Sequence, residues 1–422
     1  MEQLKDQEKS IISLVESILH EAAAKRASDI HIEPLKLNYR IRYRIDGLLI
    51  TIKQFSHDLG IKIIARVKIL ANLDIAERRL PQDGSFCFTT AKQHNIYSQQ
   101  LGFRRGANEV GWALAQQTSE DERVLSKAEN HALCEGRGSN AKSIECRIST
   151  CPTHHGEKAM LRLLEKDKIL HPLGMHKLHE DLFFSALRKP NGFILVTGPT
   201  GSGKSTTLYH AINYLNTTTV NICTAEDPIE VKLPGVNQVN IQPKIGLTFL
   251  ALLRAFLRQD PDIIMIGEIR DHETAEMALR ASQTGHLVLS TLHSKSSITS
   301  LFRLKNMGVP ISSLAGNLNL IIAQRLLRRL CHYCKKPSSK EDKSYAAVGC
   351  MRCQHGYNGR MPIFEMLPID KTLDTYMQTT SSLFEIEQFV TSMQIETLYA
   401  AGLAKLNQGE TSLEELHRVV TE

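Results

Sequence analysis

Eight residues constrain this chain more than any other feature: Gly198-Pro199-Thr200-Gly201-Ser202-Gly203-Lys204-Ser205. They match G-x-x-x-x-G-K-[S/T], follow directly on the apolar run Phe193–Thr197, and precede a helical stretch. A strand that ends in such a loop and opens into a helix is the context a phosphate-binding P-loop needs. The glycines let backbone N–H groups curl around phosphate oxygens. Lys204 supplies positive charge at β/γ-phosphates, and Ser205 offers a hydroxyl to Mg²⁺, with Thr206 beside it. The N-terminus of the following helix adds its partial positive charge. The surrounding pattern agrees. Short apolar runs at Phe193–Thr197, Ile222–Thr224, Ile263–Ile266 and Leu287–Ser290 are separated by helical stretches. This alternation predicts a doubly wound α/β domain with a buried parallel sheet.

A P-loop needs an acidic partner for Mg²⁺ and for water. Glu268 follows the 263–266 run and is expected at the C-terminal edge of the sheet, beside the phosphates. A second acidic cluster, Glu226-Asp227-Pro228-Ile229-Glu230, follows the 222–224 run. One of its carboxylates, foremost Glu230, could polarise the attacking water as a general base. His286 and His293 bracket the run Leu287–Leu292. Histidines at the two ends of a strand could sense a γ-phosphate and relay its loss, or serve structure alone, and spacing weighs the two readings evenly.

A chain of 422 residues exceeds one typical domain of ~100–200, so two or three domains are expected. With 42% hydrophobic and 23% charged residues it reads as an ordinary globular protein. No apolar run approaches the ~18 residues of a membrane span. The charged start MEQLKDQEKS is no secretory signal, so a reducing cytoplasmic setting is expected. Lys and Arg number 51 against 45 Asp and Glu, and +6 over the whole chain is too mild to demand a nucleic-acid partner. Four of the nine cysteines, Cys331, Cys334, Cys350 and Cys353, form C-x₂-C-x₁₅-C-x₂-C, the spacing of a structural zinc site with no open coordination position. Cys87, Cys134, Cys146, Cys151 and Cys223 read as small fillers or bystanders.

The N-terminal region predicts a small α+β domain. Residues 9–26 carry helical periodicity, 37–45 alternate as a half-buried strand, Asp46-Gly47 signals a hairpin, and a helix is expected over about 60–76. The Arg40, Arg42, Arg44 row reads as a solvated sheet face, and Arg147 and Arg162 read as surface arginines. The basic stretch Arg325–Arg329 could touch lipid or nucleic acid, but it reads first as the solvent-exposed side of an amphipathic helix. Residues 91–141 show no firm periodicity and read as a long insertion or loop. The tail from about 365 reads as amphipathic helices. The expected domains are 1–90 with 142–168, the insertion 91–141, and 169–422 with a zinc element at 331–353.

Several further motifs, taken together, resemble one family. They are Ser28-Asp-Ile-His-Ile-Glu-Pro34, Arg42-Tyr-Arg-Ile-Asp-Gly47, Leu80-Pro-Gln-Asp-Gly84, Arg147-Ile-Ser-Thr150 and His155-Gly-Glu157. After the P-loop come Thr224-Ala-Glu-Asp-Pro-Ile-Glu230, Leu257-Arg-Gln-Asp-Pro-Asp262, Gly267-Glu-Ile-Arg-Asp271 and the 285–293 segment. The tetracysteine and Gly359-Arg-Met-Pro-Ile-Phe-Glu365 complete the set. The ordered set resembles the type II secretion and type IV pilus assembly ATPases, the GspE/PilB group, over nearly everything except 91–141.

The resemblance implies a homohexamer with a PAS-like N-terminal domain and a RecA-like motor domain, using ATP, Mg²⁺ and Zn²⁺. It makes 226–230 the Asp box, Glu268 the Walker B glutamate and 286–293 the His box, and it has Arg147 and Arg162 reach the nucleotide. It implies a cytoplasmic ring at the inner face of the inner membrane. The ring would act on a platform protein there, touching the membrane only through partners and contacting no nucleic acid. The tetracysteine favours assembly and export over retraction. The family's extra N-terminal domain is not expected, because the chain starts almost at the second domain. Two alternatives stay open: a nucleic-acid or DNA-uptake translocase of similar core, which would show steeply salt-dependent single-strand binding, and a nucleotide-binding scaffold with little or no hydrolysis.

Overall fold

The structure, a computed structural model, describes residues 2–90, 143–165, 172–338, 344–380 and 382–420. The segment 91–141 and Cys134 lie outside the described residues. The chain divides into two compact units, Met1–Lys168 and Ile169–Glu422.

In the first unit the helix Glu2–Ala24 buries Val15, Ile18, Leu19 and Ala22, the i, i+3, i+4, i+7 stripe of an amphipathic helix. It covers an antiparallel sheet of six strands: β1 (Asp29–Pro34), β2 (Asn38–Ile45), β3 (Leu48–Ser56), β4 (Gln82–Thr89), β5 (Ser143–Thr153) and β6 (Gly156–Glu165), in the order β3-β2-β1-β6-β5-β4. Asp46 and Gly47 turn the β2–β3 hairpin with φ of 49° and 87°, as a two-residue primed turn requires. The second helix runs His57–Leu70 and stops short of 76. Asn72 adopts φ 54°, and Asp74 folds a local turn by accepting from the Ala76 N–H at 2.8 Å.

The arginine row is not a solvated face. Arg40 and Arg42 donate to the two oxygens of Glu33 at 2.9 and 2.7 Å, and Lys158 lies 3.2 Å from the same carboxylate. Burial pushes the Glu33 carboxyl up, but the three donors outweigh it and hold it at about 2. Cys87 is disulfide-bonded rather than a lone filler.

The second unit is built on a seven-stranded sheet. Its strands are β7 (Gly192–Thr197), β8 (Ile222–Glu226), β9 (Asn237–Asn240), β10 (Ile263–Ile266), β11 (Leu287–Leu292), β12 (Leu318–Leu330) and β15 (Tyr357–Pro368), ordered β15-β12-β7-β11-β10-β8-β9. The short pair β13 (Lys336–Pro337) and β14 (Tyr345–Ala346) stands apart. All neighbours are parallel except the β12–β15 pair at the edge. Alternate residues of β7 feed separate cores on the two faces. Phe193 and Leu195 pack under the helices Phe249–Phe256, His272–Gln283 and Ser297–Asn306, while Ile194 and Val196 pack under Lys177–Leu187 and Lys204–Leu215. That explains why the strand reads as an unbroken apolar run. Arg325–Arg329 lie within β12, not on a helix. The run Leu320–Gln324 is buried on both faces, as an interior strand demands. Four helices, Lys371–Thr379, Leu383–Ser392, Leu398–Asn407 and Leu413–Val419, form the tail.

Candidate functional site

The parallel strands carry their C-terminal ends to one edge, and the loop after β7 opens there. Gly203 takes φ 92° as the residue before the helix Lys204–Leu215, and no side chain caps that helix. Its first N–H groups therefore face outward as donors for an anion. Two glycines are required by space as well. A Cβ on Gly198 would lie 2.5 Å from Ser202 Oγ and 2.6 Å from the Gln324 carbonyl oxygen, and one on Gly203 would lie 2.7 Å from Gln324 Nε2. The Ser202 hydroxyl is buried among these atoms without a hydrogen-bond partner. Ser205 and Thr206 occupy the first helical turn, half-buried.

Lys204 is 9% exposed, and its Nζ donates to the carbonyls of Gly198 at 2.8 Å and Pro199 at 3.1 Å. Burial pulls its pKa down to about 8, aided by the charge of Arg325 and opposed by Glu230. Glu230 is exposed, and its N–H donates to Tyr209 Oη at 3.0 Å. Tyr209 in turn donates a short hydrogen bond to Glu226. The other Glu226 oxygen accepts from Thr224 at 2.6 Å and Gln238 at 2.9 Å. Glu226, the first carboxylate of the acidic cluster expected beside the nucleotide, is therefore buried and fully engaged. What it does is hold Tyr209 against the Glu230 backbone.

The three acidic and histidine motifs meet in one chain of contacts. Asp227 pairs with Arg270 at 3.5 Å, Arg270 closes on Glu268, and Glu268 Oε2 lies 3.2 Å from His293 Nε2. Burial lowers the His293 pKa, and Lys204, Arg303 and Arg270 lower it further, so the ring is neutral at pH 7. His286 does not join. It precedes β11 at the opposite edge, ~20 Å away at ~3.3 Å per residue. There its ring nitrogen lies 2.9 Å from the Ala281 carbonyl and 3.1 Å from Thr284 Oγ1, closing the end of the helix His272–Gln283. A strand with a histidine at each end must place them on opposite edges, so only one can face the loop.

Arg147 and Arg162 stand directly opposite each other on β5 and β6 of the first unit. Arg162 donates to Asp29 at 2.8 Å, and Arg147 lies 3.6 Å from Glu145. Two like charges in facing positions disfavour a sheet, and here each is offset by a carboxylate of the same unit. Sequence reasoning missed Gln324 and Thr207. The β12–β7 register pairs Ala323 with Thr197, which brings Gln324 level with Gly198. Thr207 then fixes the Gln324 amide by donating to its Oε1 at 2.6 Å. No local signal marks such a contact between residues far apart in the chain.

The four thiols converge. Their sulfurs all lie within 4.8 Å of one another, with Cys331–Cys350, Cys334–Cys353 and Cys350–Cys353 at 3.9, 3.6 and 3.6 Å. A tetrahedron with Zn–S arms of ~2.3 Å has edges of ~3.8 Å, so the donor set fits zinc.

Residues 4–106 and 137–418 match the family described as Type II/IV secretion system protein. The chain belongs to this family. It is 40% identical to the type IV pilus assembly ATPase PilB of Acinetobacter baylyi, an alignment that covers 100% of this chain and 68% of the relative. It is 38% identical to the type II secretion system ATPase E of Vibrio cholerae over 98% of this chain and 76% of that one. Among solved structures, the ADP-bound pilus retraction motor PilT superposes with a TM-score of 0.57 at 26% identity, covering 95% of both chains. The Legionella pneumophila ATPase DotB reaches 0.65 at 19% identity, over 96% of this chain and 95% of that one, a likeness of fold alone. The family is one of ATP-hydrolysing motors, and its α/β fold and P-loop are those of this chain.

Proposed function

We propose that the chain is a motor ATPase that couples ATP hydrolysis to type IV pilus assembly or type II protein secretion, working as a homohexamer in the cytoplasm against an inner-membrane platform protein. The observation that carries the reading is the contact chain Asp227–Arg270–Glu268–His293 at the mouth of the P-loop. Backbone N–H groups of 200–205 and Lys204 hold the phosphates. The Ser205 hydroxyl, with Glu268 on the neighbouring strand end, would hold Mg²⁺, which would supply charge neutralisation for the phosphates. Glu230, exposed and close enough to Lys204 to feel its charge, orients the attacking water. His293 reports the state of Glu268 to β11. Cys331, Cys334, Cys350 and Cys353 would hold zinc, which would staple the 331–353 element. Relatives named for pilus assembly and for type II secretion are similarly close. Among the described residues no helix is long and apolar enough to cross a membrane.

Complementation tests the reading. In a host whose own copy of the gene is deleted, the wild-type chain is expected to restore surface pili and the Glu268→Gln variant none. Restoration of protein secretion without pili would move the motor to the secretion machine. Equal restoration by both chains would exclude a hydrolysis-driven role.

A further inference from the structure

Arg325 sits where the sequence gives no reason to expect a nucleotide contact. Its strand neighbour Gln324 is wedged against the P-loop, with its carbonyl oxygen 2.6 Å from the Cβ position of Gly198. Arg325 Nη1 donates to that same carbonyl at 2.9 Å. Lys204 Nζ grips the carbonyl of Gly198 itself at 2.8 Å. The guanidinium and the ammonium thus flank one glycine. The second Arg325 amine donates to the Lys295 carbonyl at 2.5 Å, in the loop that leads away from His293. That loop is tied to the end of β7, because the Ser294 N–H donates to Thr197 Oγ1 at 3.0 Å.

The charge balance is uneven. Arg325 is half-buried, and its hydrogen bonds go only to neutral carbonyls. No carboxylate lies within ion-pair distance of it among the described residues. The nearest acidic influence is Glu365, whose oxygens are taken by the Ser297 N–H and hydroxyl and by the Leu398 N–H. Burial and Glu365 act on Arg325 in opposite senses, and burial prevails, lowering its pKa. A desolvated guanidinium beside a desolvated lysine calls for an anion of more than one charge. A guanidinium also presents a planar fork of donors that matches a phosphate.

We propose that Arg325 binds the terminal phosphate of the bound nucleotide and so makes the P-loop prefer ATP to ADP. The assignment rests on the motor reading for the identity of the ligand. On binding, the fork exchanges a carbonyl for phosphate oxygens, which frees the Lys295 carbonyl and links phosphate occupancy to the loop behind His293.

Equilibrium binding of a non-hydrolysable ATP analogue and of ADP, each with Mg²⁺, tests this. Arg325→Gln is expected to weaken the analogue at least tenfold and ADP less than threefold, and intact ADP binding certifies the fold. Arg329→Gln, exposed on the same strand, is expected to change neither. Analogue affinity within twofold of wild type, or equal losses for both nucleotides, would overturn the assignment. If Arg325→Gln fails to fold, Arg325→Lys decides. It keeps the charge but loses the fork, so the analogue should weaken about threefold and ADP not at all, and unchanged analogue affinity refutes the proposal. Because binding is read and not turnover, failure of the motor reading would leave wild-type nucleotide binding in place, whereas failure of this assignment would show only in the Arg325 variants.

Discussion

Lys204→Ala is expected to weaken ATP binding by ~100-fold or more, the effect of removing a desolvated charge partner worth ~3 kcal/mol from a phosphate site. The fold should survive. The lysine is one of the few buried charges of the second unit, and its bonds go to two loop carbonyls that can turn to water once the side chain is gone. Unchanged thermal melting with lost affinity is the expected pair of results, read by calorimetry and by titration. The same residue sets a pH dependence. In the free protein burial and Arg325 hold Lys204 at about 8, so it is largely charged at pH 7 and largely neutral at pH 9. Phosphate binding favours the charged form. Binding above pH 8 must therefore take up a proton, and affinity should fall about tenfold per pH unit there. Titration at pH 8.5 in buffers of different ionisation enthalpy would show that uptake. Equal apparent enthalpies would mean the lysine is already charged when free.

The second large effect concerns the thiols. One zinc per chain is expected by elemental analysis, and Cys350→Ser should drop it below about a fifth. A closed Cys₄ site stabilises folding directly, because the unfolded chain holds no preformed site. Losing ~3–4 kcal/mol from a unit of this size lowers Tm by about 10 °C. The 331–353 element has little else to hold it. Among the described residues its strands β13 and β14 are two residues each, and Tyr333, Val348 and Met351 are exposed. Lys335 ties it to the tail, donating to the Gly409 carbonyl at 2.7 Å and lying 4.5 Å from the Tyr345 ring centre. A Cys350→Ser chain that melts with the wild type would show the site to be dispensable for the fold.

What the sequence discloses here is local. The P-loop, the β2–β3 hairpin and the tetracysteine are each specified by residues within about twenty-five positions of one another, so spacing and turn chemistry suffice. What depends on strand order is not legible in that way. His286 and His293 look equivalent along the chain, and only the parallel direction of β11 beside β7 decides that His293 is the one at the P-loop edge. Glu226 and Glu230 look equally available, yet Glu226 ends β8 facing Tyr209 and is spent inside. The β12 residues Leu318–Leu330 space their leucines in a way that also fits a helix. Placement between β7 and β15 makes them a strand and carries Gln324 and Arg325 to the phosphate loop. The Arg40 and Arg42 row alternates as an exposed face should, but Glu33 on the neighbouring strand captures it.

The central claim is that this P-loop turns over ATP and does not merely hold it. Steady-state phosphate release by the purified, zinc-replete chain, measured beside Glu268→Gln under saturating Mg-ATP, tests it most directly. Turnover by the wild type, lowered at least a hundredfold in Glu268→Gln while ATP still binds, is the result this account predicts. A wild-type rate no higher than that of the variant, with ATP bound equally by both, would contradict it and leave a nucleotide-binding scaffold.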